Sequence, residues 1–142
     1  KTLQVNIKKG VFTGKLLRLK GQGKTSKDRR HKGDLLLNIN IIPHQTFERF
    51  GDDLHINLEV DLYTAIFGGK VSINTINNKK INLTLPKETD SGKIFRIPNM
   101  GMPNYDNENK FGDLFVKVLV KLPKNLTTKE IELFEQLSKL RK

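Results

Sequence analysis

Three histidines, a pair of adjacent aspartates and a few glycine-bearing turns are the residues of this chain best suited to chemistry, and their spacing supplies little of it. His31, His44 and His55 lie far apart, whereas a metal site needs ligands that converge at short, recurring spacings. His44 falls in a turn, and His55 on the polar face of an alternating strand. Asp52 and Asp53 are neighbours, so on extended chain their carboxylates point apart, and a turn role follows. The glycines of "GQG" and "FGGK" lack the spacing of a phosphate loop. There is no Gly-x-Ser-x-Gly elbow. The chain has no cysteine, which removes disulfides, cysteine zinc sites and thiol catalysis together. These residues therefore point to a protein that is not an enzyme and uses no metal or cofactor.

Charge is the stronger signal. The 142 residues hold 26 Lys and Arg against 15 Asp and Glu, a net charge of +11. Eleven of the bases and one acid, Asp28, lie between Lys1 and Lys32. The densest stretch is "KTSKDRRHK", where Lys24, Lys27, Arg29, Arg30 and Lys32 form a cluster that would attract a polyanion such as DNA. Aromatic platforms for stacking single-stranded bases are poor, because there is no Trp and Tyr63 and Tyr105 stand isolated in the sequence. No apolar run approaches membrane-spanning length, and no membrane partner is expected.

The elements that must position these residues come twice. "TLQVNIKKGVFTGKLLRLKGQG" lies over "KINLTLPKETDSGKIFRIPNMG", and "GDLLLNINIIP" over "GDLFVKVLVKLP". Gly14 and Gly92 are 78 positions apart and Pro43 and Pro123 are 80 apart, a drift that loops tolerate. Leu3, Val5 and Ile7 alternate as a strand, as do Ile81, Leu83 and Leu85. Between the copies come a strand (Leu54 to Val60), a short helical turn around Leu62 to Phe67, and a strand at Val71 and Ile73. The first copy has no counterpart of this stretch. The expectation is therefore a fragment of a longer protein whose first unit is truncated at its start. Turn clusters such as "FGDD" and "TINNKK" separate the strands. The fold class is mostly β: two similar sandwich-like units in series, a short helix in the second, and a C-terminal α-helix. That last helix is announced by the Thr127 and Glu130 capping-box spacing, with acids early and bases late, Lys142 among them. Its Ile131, Leu133, Phe134, Leu137 and Leu140 cover an arc too wide to stay in water.

The ordered landmarks "PHQTFERFGDDL", "LYTAIFGGKVSI", "GKIFRIPNMGMP" and "GDLFVKVLVKLP" resemble the C-terminal region of J-domain co-chaperones, the DnaJ family. The resemblance runs over essentially the whole chain. It implies two β-rich C-terminal domains, 1–44 (partial, client-binding) and 45–124, and a dimerisation helix at 125–142. It also implies binding of unfolded polypeptide, delivery of that client to a DnaK-type chaperone through a J domain, a V-shaped homodimer, and a cytoplasmic or nucleoid-associated location. The His-Pro-Asp motif of the J domain and the Cys-x-x-Cys-x-Gly-x-Gly zinc module are both absent from the sequence. The likeness is accordingly placed with the zinc-free, curved-DNA-binding (CbpA-like) type, whose DNA binding is the alternative function.

By alignment within that family, client contact is expected at Leu3 and Leu37, with Val5 and Ile39 in the same rows by alternation. Part of the groove would come from strands upstream of Lys1, leaving the pocket incomplete. Such a groove receives an extended segment at a sheet edge, with apolar side chains giving modest affinity. Dimer contacts are expected at Ile131, Phe134, Leu137 and Leu140.

Overall fold

The computed structural model describes residues 2–27 and 29–141. Lys1, the acid Asp28 and the terminal base Lys142 lie outside the described residues. The elements are β1 (Leu16–Leu19), β2 (Leu35–Asn38), β3 (Glu48–Phe50), β4 (Asp53–Asp61), α1 (Leu62–Phe67), β5 (Gly69–Asn74), β6 (Lys80–Leu85), β7 (Ile94–Ile97), β8 (Leu114–Lys121) and α2 (Thr128–Lys139). β1 and β2 form an antiparallel pair, as do β5 and β6. A four-stranded sheet runs in the order β3–β4–β8–β7. The chain is thus mostly β with a C-terminal helix, the class its alternation and turn spacing predict.

Two compact units result, Lys1–Ile56 with Phe95–Val116, and Asn57–Ile94 with Lys117–Lys142. Phe47, Leu54, Ile56, Leu114 and Val116 make the core of the first, and Val60, Ala65, Ile73, Leu85 and Val118 that of the second. The period of two is visible on β8, where Leu114, Val116 and Val118 are sealed from solvent and Lys117 and Lys121 are exposed. β4 ends because Asp61 caps α1: its carboxylate accepts from the Thr64 backbone N–H at 2.8 Å. The same N–H, followed by the Thr64 hydroxyl, holds the Asp61 carboxyl below its ordinary pKa. α2 carries the expected capping box. The Thr127 hydroxyl accepts from Glu130 N–H at 3.1 Å, and the Glu130 carboxylate accepts from Thr127 N–H at 3.0 Å.

The repeat holds at the level of single hydrogen bonds. Gly14 N–H donates to the Ile39 carbonyl (2.9 Å), and Gly92 N–H to the Val118 carbonyl (2.6 Å). Ile39 N–H returns to Lys15 and Val118 N–H to Lys93. Thr13 Oγ1 receives Ile41 N–H, and Ser91 Oγ receives Val120 N–H. Farther out, Gly23 donates to Gly33 at 2.8 Å and Gly101 to Gly112 at 2.9 Å. In both copies an arginine in the first strand reaches the aspartate that opens the second: Arg18 to Asp34 and Arg96 to Asp113. The same carboxylates accept a turn N–H, Gly21 at 3.0 Å and Asn99 at 3.1 Å.

One sequence expectation fails. Residues 3–7 alternate like Ile81, Leu83 and Leu85 of β6, yet they form no strand. β6 is a strand because β5 pairs with it along its whole length. Residues 3–7 are assigned no such partner among the described residues, and alternation without pairing leaves backbone donors and acceptors to water.

Candidate functional site

Comparison of the two copies picks out the surface that differs. Leu35, Leu37 and Ile39 occupy the places of Leu114, Val116 and Val118. The second set is buried; the first is half-buried throughout. Ile7 stands where Leu85 stands, and is 61% exposed against 2%. The register pairs Leu17 with Leu37 and Leu19 with Leu35, so four leucines share one face of the β1–β2 hairpin. Its other face carries Leu16 and Leu36, both exposed. Of the expected client contacts, Leu37 and Ile39 lie on that shared face. Leu3, exposed, and Val5, half-buried, lie on the non-strand segment before Gly10.

The basic cluster sits on the loop between β1 and β2. Lys24, Lys27, Arg29, Arg30 and Lys32 are all exposed. A Thr25–Lys32 bridge and the Ser26 N–H to His31 carbonyl bond (2.7 Å) shape the loop. At its tip Arg29 adopts φ 58°, a left-handed conformation uncommon for a residue with a side chain.

On α2, Ile131, Leu137 and Leu140 of the expected dimer set are exposed, as is Leu133, and Phe134 is half-buried. No residue of the helix is buried. In the same unit, Val60, Leu62, Tyr63, Leu122 and Pro123 line an open cleft of about 410 Å³. No described helix is long and apolar enough to cross a membrane.

Tyr105 is not isolated, contrary to its position in the sequence. Phe12 meets its ring edge-on at 5.8 Å, and the Lys8 and Lys15 ammonium groups lie 4.9 and 4.8 Å from its centroid. Gly10 presses on the same loop: a Cβ there would lie 2.9 Å from the Tyr105 nitrogen and would collide with the Pro103 carbonyl. Arg49 grips the segment from the other side, donating to the Val11 carbonyl at 2.7 Å and the Gly10 carbonyl at 3.0 Å. Contacts between residues so distant in sequence leave no local signal.

Two of the histidines make local structural contacts. His44 Nδ1 accepts from the N–H groups of Thr46 and Phe47, at 3.0 and 3.2 Å, and so shapes a turn. His55 alternates with the buried Leu54 and Ile56, and on its face it lies between Phe50 and Phe115, with both ring centroids 4.9 Å away. The paired aspartates reach distant segments rather than their own turn: Asp52 accepts from Asn104 Nδ2 and Asp53 from Asp113 N–H, both at 2.8 Å.

The two Arg–Asp clips give an electrostatic expectation. The Gly21 N–H, then Arg18, lowers the Asp34 pKa; the Asn99 N–H, then Arg96, lowers that of Asp113. A depressed carboxylate contributes stability above its unfolded pKa of about 3.9 and loses it as pH falls through the folded value. The urea midpoint should therefore fall below about pH 4, and that fall should shrink in Asp34→Asn/Asp113→Asn. An identical acid limb in the variant would remove the clips from the pH response.

A family model described as "DnaJ C terminal domain" matches residues 1–123. Proteins named "Chaperone protein DnaJ" align along nearly the whole chain. The one from Azorhizobium caulinodans is 40% identical over 141 residues, 97% of this chain and 37% of its own length. That from Bradyrhizobium diazoefficiens is 38% identical over 140 residues, and that from Sinorhizobium fredii 36% over 141; each is covered over 37% of its length. The chain thus spans a little over a third of these curated relatives. With the repeated clips, the glycine-framed loops and this match in hand, the chain belongs to the DnaJ C-terminal domain family.

Proposed function

We propose that the chain is the client-binding and dimerisation module of a DnaJ-type co-chaperone. It holds unfolded polypeptide for a DnaK-type chaperone that is recruited by a J domain elsewhere in the protein. One observation carries this reading: the row Leu35, Leu37 and Ile39 is half-open where the matching row of the other copy is buried. An extended apolar segment laid along it would bury those side chains, each worth at most about 1.5–3 kcal/mol. Modest affinity suits a protein that must release its clients. In this reading residues 1–44 are the client-binding domain, 45–124 the second domain and 125–142 the dimer contact, and the site of action is the cytoplasm. The test is the binding of labelled unfolded peptide by wild type and Leu37→Asp.

A second reading, of a zinc-free, curved-DNA-binding type, is favoured by the exposure of five bases on one loop. Neutralising Lys24, Lys27, Arg29, Arg30 and Lys32 should then cut duplex affinity about tenfold or more at low salt and flatten its salt dependence. An unchanged slope would place DNA contact on another surface.

A further inference from the structure

The basic loop and the Tyr105 loop are the same frame in two copies. Gly23 to Gly33 matches Gly101 to Gly112, Ser26 to His31 matches Asn104 to Lys110, and the bridge Thr25–Lys32 matches Pro103–Phe111. In the second copy this frame already holds a peptide: the lysine-bearing segment from Lys8 to Lys15 rests on it. Gly10 packs against Pro103 and Tyr105, and two ammonium groups lie at the Tyr105 ring.

In the first copy the charge is reversed. Lys27 takes the sequence place of Tyr105, and Lys24, Arg29 and Lys32 of the same loop are exposed, as it is. An aromatic face that attracts cations is replaced by cations that attract carboxylates. Arg29 closes a turn there, its N–H donating to the Ser26 carbonyl at 2.9 Å. We propose that the exposed bases Lys24, Lys27, Arg29 and Lys32 dock an acidic, extended polypeptide segment, as the sister loop docks a basic one. A peptide is favoured over a duplex because a peptide is what the sister frame holds. This goes beyond the client reading, and uses neither Leu37 nor Ile39.

The whole chain can be titrated against a fluorescent oligoglutamate, with oligolysine and a DNA duplex of equal charge alongside. The expected result is oligoglutamate binding that falls about tenfold in Lys24→Ala/Lys27→Ala/Lys32→Ala, three exposed contacts each of modest worth. It should survive in Leu37→Asp, which separates this site from the client row. Lys27→Tyr should weaken oligoglutamate binding and admit oligolysine, a switch that simple loss of charge would not produce. Three results would overturn the proposal: no oligoglutamate binding by the wild type, undiminished binding by a triple variant with an unchanged circular dichroism spectrum, or tighter binding of the duplex than of oligoglutamate. The last would give the loop to nucleic acid.

Discussion

Gly10→Ala should release the segment from Lys8 to Lys15 from its seat. Gly10 has φ 83° and its missing Cβ would meet backbone, not a flexible side chain. The left-handed conformation costs an L-residue about 1–2 kcal/mol. Forcing an extra carbon into a packed site costs about 1–3 kcal/mol more. Backbone atoms of Pro103 and Tyr105 cannot yield as a side-chain tip would, so the cheaper response is for the segment to lift away. Trypsin should then cut after Lys8, Lys9 and Lys15 well before it cuts the wild type there. Arg49→Ala should do the same by a different route, because it removes the donor for the Gly10 and Val11 carbonyls. Unchanged cleavage and melting in both variants would mean that the seat does not hold the segment.

The second large effect concerns assembly. Ile131, Leu133, Leu137 and Leu140 lie in water on the isolated chain, Leu140 at 81% exposure. Burying such side chains is worth roughly 1.5–3 kcal/mol each, enough in sum to hold a two-fold contact between helices. We propose a homodimer through α2, and a reason for it: two weak client rows on one particle hold a long chain better than either alone. Light scattering should give a dimer for the wild type and a monomer for Ile131→Asp/Leu137→Asp. Deleting Leu126 to Lys142 should also give a monomer, with its strands intact by circular dichroism. A wild type that stays monomeric well above micromolar concentration would contradict this proposal.

How much of this could be read in the sequence depended on the distance over which each feature is determined. The capping box at Thr127, the turn helix at Leu62 and the alternation of β4 are local, and each appears where it was expected. The repeat was legible because both copies keep their glycines in order. The Arg–Asp clips were not, although all four residues are in the aligned stretches, because a strand pattern does not say which exposed arginine folds back across a loop. Residues 3–7 show the limit of periodicity: the pattern records which face is apolar, and a strand also needs a neighbour. Tyr105 and Arg49 show another limit. Their partners lie some forty to a hundred residues away in sequence, and only the fold brings them together. Leu37 was singled out through the family resemblance, and its half-open state came from comparing the copies.

The most direct test of the client reading is a fluorescence anisotropy titration of a labelled, apolar, unfolded peptide with the wild type and Leu37→Asp. A carboxylate placed in the row must be desolvated when the peptide covers it, at a cost of a few kcal/mol. The expected result is weak, saturable binding by the wild type and at least about a tenfold loss in the variant, with both proteins equally folded. Equal binding by a folded Leu37→Asp, or no binding by the wild type at any accessible concentration, would contradict it.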